Sequence, residues 1–114
     1  RRELLMDKLT VVDIPRQNHT EHQGELDPCI AYMRDYRVGQ GELTLVCWGR
    51  AWSHYWGAMG NHDLRGFILS CSTGYLVGKL MLPYDVMLKR SEKREERWLT
   101  QIVEALKVQL KVQP

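Results

Sequence analysis

At 114 residues, 44% hydrophobic and 26% charged, the chain has the make-up of one ordinary globular domain, long enough to bury a core of its own. A formal net charge of +2 is too small to signal nucleic-acid binding by itself. No run approaches the about eighteen consecutive apolar residues of a membrane-spanning helix, and Arg1-Arg2-Glu3-Leu4-Leu5-Met6 is too short and acidic for a secretory signal.

Met6 reads as a native start, with the five residues before it expected to be disordered or foreign to the native chain; residues 1–8 are expected to lie outside a single domain over 9–114. Leu9-Thr10-Val11-Val12-Asp13-Ile14 is a β-branched run closed by Pro15, which predicts an edge strand. Arg16 to Asp27 is polar and reads as an exposed loop. A second strand is predicted over Cys29–Val38. There Ile30, Tyr32, Tyr36 and Val38 form a face that is apolar except at Arg34, against Ala31, Met33, Asp35 and Arg37. Gly39-Gln40-Gly41 makes a hairpin connection. Glu42–Trp48 is apolar on both faces, the pattern of a central strand covered on two sides. After Gly49-Arg50, a third meander strand is predicted over Ala51–Ala58, with Trp52 and Trp56 inward and Arg50 and Tyr55 outward. Strand alternation requires at least one of Trp48, Trp52 and Trp56 to face away from the core.

Helical signals then take over. Asn61 is a suitable N-cap for a helix over His62–Cys71, with Asp63 in its first turn and Leu64, Phe67, Ile68 and Cys71 on one side. Thr73-Gly74 breaks it and starts a second short helix through Lys79-Leu80, stopped at Pro83. A last helix, capped at Asp85, runs towards Val112 with Trp98, Leu99, Ile102, Val103, Leu106 and Leu110 as its apolar stripe. The stripe can close the core or pair two copies of the chain as a homodimer. The fold class is therefore α+β: an antiparallel three- to four-stranded meander with two or three helices packed on one face.

Chemistry-bearing residues are sparse. Cys29, Cys47 and Cys71 are an odd number without a C-x-x-C pair, which argues for unpaired thiols in a reducing compartment, the cytosol. His19 and His22 have H-x-x-H spacing around Glu21, but one such pair in a polar loop is half of what structural zinc needs, and no metal or cofactor is expected. Cys47 or Cys71 with His54 or His62 would make a nucleophile–base pair, yet mid-strand and apolar helical positions suit inert thiols. Gly57-Ala58-Met59-Gly60 lacks the lysine and hydroxyl of a phosphate cradle, and Asp63 and Asp85 have no evident carboxylate partner. No catalytic residue is assigned. The segment from Lys89 to Arg97 places Lys89, Lys93 and Arg97 on one i, i+4 line, a basic ridge for phosphates or simply a solvated helical face with mixed charges.

The run Gly41-Glu42-Leu43-Thr44-Leu45-Val46-Cys47-Trp48-Gly49, then Ala51-Trp52, Tyr55-Trp56-Gly57-Ala58-Met59-Gly60, Phe67, Tyr75-Leu76 and Lys79-Leu80, resembles small accessory proteins of tailed phages and enterobacterial prophages. The likeness covers roughly residues 28–82, with the first strand and last helix outside it. It carries no catalytic residue. It implies a protein made in an infected bacterium that binds a host protein, such as a defence nuclease or CRISPR effector, and inhibits it. The expected contacts are Arg37, Arg50, Trp52 and Tyr55, with Lys89, Lys93 and Arg97 as a second surface. The alternative reading is a small nucleic-acid-binding protein using the same ridge and exposed aromatics.

Overall fold

The computed structural model describes residues 5–14, 17–18, 25–26, 28–82 and 89–112, with side chains described in 7–14, 28–82 and 93–112. Strands β1 (Leu5–Ile14), β4 (Cys29–Arg37), β5 (Gln40–Cys47) and β6 (Arg50–Trp56) form an antiparallel sheet in the order β1-β4-β5-β6. The short strands β2 (Gln17–Asn18) and β3 (Glu25–Leu26) pair with each other as a separate two-stranded sheet. Helices α1 (Leu64–Ser70), α2 (Thr73–Leu80) and α3 (Lys89–Val112) follow. The fold is α+β, with the strands first and the helices after them, as the patterning predicted.

The edge strand is longer than its β-branched run. It starts at Leu5, so Leu5 and Lys8, expected to lie outside the domain, pair with Arg37 and Asp35 of β4 instead. The register slips between Leu5 and Lys8, where Asp7 takes φ 32°, a left-handed conformation that Asp tolerates better than most residues.

The faces of β4 correct the sequence reading. Cys29, Ala31, Met33 and Asp35 point into the core, while Tyr32 and Tyr36 lie on the exposed side. Hydrophobicity alone favoured the opposite assignment. Small side chains in mid-sheet leave room for helices to sit close, whereas two phenols keep their hydroxyls hydrated on the outside. The helices cover one face only. Glu42, Thr44 and Val46 of β5, expected under a second layer, are half-shielded from water, and no second layer covers them among the described residues.

The core is the remaining face of the sheet, Val12, Ile14, Leu43, Leu45, Trp52 and Trp56, against Leu64, Ile68, Leu76, Leu80 and the stripe of α3. Leu99, Ile102, Val103, Leu106 and Leu110 are all buried. That stripe closes the core, and the exposed valines of α3, Val108 and Val112, are what it leaves outward.

Helix starts are set by side-chain acceptors. Asp63, not Asn61, is the N-cap of α1 and accepts from Gly66 N at 2.9 Å. Asp35, buried in β4, accepts from Leu64 N at 2.8 Å, so the sheet caps the same helix a second time. Ser72 caps α2 through Tyr75 N. Gly39 in the β4–β5 turn has φ 86°, and a Cβ there would sit 2.8 Å from Gly60 O. Its amide donates to His62 O and its carbonyl accepts from Met59 N, which pins the segment leading into α1 against the hairpin.

Candidate functional site: the open face of the sheet

Because the helices lie on one side, the alternate residues of each strand line up across the other. The pairing sets Leu9, Arg34, Glu42 and Tyr55 in one cross-strand row. Val11, Tyr32, Thr44 and Ser53 form the next, and Asp13, Ile30, Val46 and Ala51 a third. Leu9 is 51% exposed, Val11 56% and Tyr55 49%, and Tyr32 and Tyr36 are exposed beside them. Uncovered leucine, valine and tyrosine in adjacent rows make an apolar patch, and such patches on a domain this small mark contact surfaces.

The polar groups of this face hold one another in place. The Tyr36 hydroxyl donates to Glu42 Oε1 at 2.9 Å, and that carboxylate pushes the phenol above its ordinary pKa of 10.0. Arg34 lies over the Tyr36 ring at 5.7 Å and reaches Asp7 at 3.2 Å. The Tyr55 ring meets Tyr36 edge-on at 6.0 Å. The Thr44 and Ser53 hydroxyls pair at 2.9 Å. Two recesses adjoin at Tyr36. The larger, about 510 Å³, is lined by Asp7, Tyr36, Arg37, Gln40 and Tyr55. The smaller, about 200 Å³, lies among Leu9, Tyr32, Arg34 and Thr44. Arg34 and Arg37 are matched by Asp7 and Glu42, so the face carries no strong net charge.

The residues expected to make contacts divide among three places. Arg37 and Tyr55 share the larger recess. Trp52 is 1% exposed, edge-on to Trp98 at 5.2 Å, and belongs to the core, because its position on β6 points under the helices. Arg50 lies beside it, with its guanidinium over the Trp52 ring and bonded to Glu95 of α3. Lys93 and Arg97 are exposed on α3, on the helix side of the molecule, and the Lys89 side chain lies outside the described residues. Leu9, Val11, Tyr32 and Tyr36 were not anticipated as surface. Their signal was the period-two alternation of β1 and β4, legible as a face but not as an outward one.

The catalytic candidates disperse. Cys29 and Cys47 are buried, and the Cys47 thiol points to Pro28 O at 3.9 Å. Cys71, half-buried, ends α1. His54 stacks edge-on with Trp56 at 4.7 Å, and its pKa is lowered by burial and by the charge of Lys79, partly offset by a hydrogen bond to the Lys79 backbone. Among the described residues, no three or more His, Cys, Asp or Glu side chains converge on a metal position. His19 and His22 lie outside the described residues.

A family model described as a Phage family matches residues 7–85, more than half of the chain. The chain belongs to this phage family. No curated protein and no solved structure matches it. The family segment begins ahead of the resemblance seen in the sequence and takes in β1, which the resemblance had left out. All four strands of the phage protein's sheet, and so its whole open face, lie within 7–85 apart from the first two residues of β1. The basic part of α3 lies beyond it. No helix among the described residues is long and apolar enough to cross a membrane.

Proposed function

We propose that this phage protein binds a host protein through the open face of its sheet and modulates it in the bacterial cytoplasm. The observation that supports this is the uncovered patch of Leu9, Val11, Tyr32, Tyr36 and Tyr55, bordered by the matched charges Arg34, Arg37, Asp7 and Glu42. Tyrosine and arginine are among the residues that dominate the binding energy of protein interfaces, and the aliphatic side chains between them exclude water. A face of this kind confers affinity without supplying a nucleophile, a base or a metal site. The target class is a host defence nuclease or CRISPR effector, which a phage protein in an infected cell meets and gains from inhibiting.

The test compares the tagged protein with a Val11→Glu/Tyr32→Glu double variant in affinity capture from enterobacterial lysate, with and without nuclease. A stoichiometric host protein that survives nuclease and is absent with the double variant supports the reading. Equal capture by both proteins overturns it. Purified target then gives the finer answer, through loss of its nuclease activity when the phage protein is added.

A further inference from the structure

Cys47 and Arg50 pair across β5 and β6, leaving Trp48 and Gly49 as a two-residue hairpin loop. Both take positive φ, 52° and 79°, the signature of a type I′ turn. Asn-Gly is the sequence this turn prefers. A tryptophan in the first position is a bulky residue in a left-handed conformation, which the local backbone does not favour. Its ring gains no burial in return. Trp48 is 75% exposed, while Trp52 and Trp56 are buried and Trp98 half-buried. Strain kept at an exposed position without a packing reason points to a ligand.

The surroundings indicate which ligand. Two residues on, Arg50 bonds Glu95 and so ties the hairpin to the start of α3. Arg50, Arg94, Glu95 and Trp98 line a recess of about 220 Å³ there. With 3.6 residues per turn, Arg94, Arg97 and Lys93 run in sequence around α3 away from Trp98, and Glu96 falls on the far flank. Glu95 is turned inward, held by Arg50 and the Trp52 indole. An exposed indole on a hairpin that Arg50 ties to a helix carrying three neighbouring outward cations is a combination that can hold single strands: a base stacks on the ring while phosphates lie along the basic arc.

We infer that the β5–β6 hairpin tip and the first described turns of α3 form a binding site for single-stranded nucleic acid, with Trp48 as the stacking platform and Lys93, Arg94 and Arg97 as phosphate contacts. This site is independent of the open sheet face, and either can fail without the other.

The test is fluorescence titration of the full chain with a short oligothymidylate. Trp48 is the well-exposed indole, so stacking is read directly as quenching. Quenching at ~50 mM salt, with affinity falling about twentyfold by ~200 mM, is the expected result for roughly three phosphate contacts. Trp48→Asn, which suits the turn, abolishes the quenching and weakens binding about tenfold or more at an unchanged salt slope. Arg94→Gln and Arg97→Gln each lower the slope by about 0.7 while the quenching persists. Absence of quenching at low salt overturns the inference. So does equal affinity of Trp48→Asn, or duplex DNA binding as tightly as the single strand.

Discussion

The indole Nε1 of Trp52 donates a 2.7 Å hydrogen bond to Glu95 Oε2, the same oxygen that accepts from Arg50. One carboxylate thus satisfies a buried tryptophan, neutralises an arginine at the sheet edge and fixes the start of α3 over β6. Glu95→Leu leaves the indole N–H without its acceptor and is expected to cost about 1–3 kcal/mol. Glu95→Gln keeps a carbonyl acceptor and costs less. Urea denaturation ranks the two. Equal losses would show that charge, rather than the hydrogen bond to Trp52, is what matters.

Trp48→Asn relieves the left-handed backbone strain and restores the residue type that a type I′ turn favours. The folded state is expected to gain about 1 kcal/mol. A higher urea midpoint with an unchanged slope checks this. A lower midpoint would mean that the Trp48 ring packs favourably despite its exposure.

Asp35 is buried, and its pKa is raised above 3.8, chiefly by desolvation, with the Leu64 amide pulling the other way. A raised carboxyl pKa contributes stability fully present below 3.8 and lost as pH rises through the folded value. Asp35→Asn keeps an acceptor for Leu64 N without the buried charge. It is therefore expected to be neutral or stabilising at pH 7 and to flatten the acid side of the stability profile. Asp35→Leu leaves that amide unpaired and costs about 1–3 kcal/mol at every pH. Denaturation midpoints from acid to neutral pH distinguish the two variants.

His54 carries the opposite sign. Its folded pKa lies below 6.5, so its contribution is present above 6.5 and lost as pH falls through the lowered value. His54→Phe keeps a ring against Trp56 and removes this dependence. The wild-type protein is expected to lose stability on acidification below 6.5, and the variant to lose less over the same interval. Parallel profiles would remove His54 as the titrating group.

Much of the scaffold was legible because its signals are local. The apolar run through Leu43, Leu45 and Cys47 marked β5 as an interior strand, and the stripe from Leu99 to Leu110 marked the buried face of α3. The phage resemblance rested on the same packing residues. Helix boundaries were less legible, since Asn61 and Asp63 both suit an N-cap and only Asp63 reaches Gly66 N. The site was least so. Tyr32 and Tyr36 resemble core residues to any count of hydrophobicity, and Trp52 resembles an interface anchor.

The sequence by itself determined the α+β class, the meander, the amphipathic last helix and the kinship with phage proteins, because periodicity and turn chemistry act over a few residues. Only the tertiary structure decided which side of the sheet the helices cover. Either face of β4 satisfies alternation, and the choice follows from α1 packing on the side of β4 that buries Ala31, Met33 and Asp35. That choice made Tyr32, Tyr36 and Tyr55 a surface, brought Arg50 to Glu95 across the fold, and left Trp48 in the solvent.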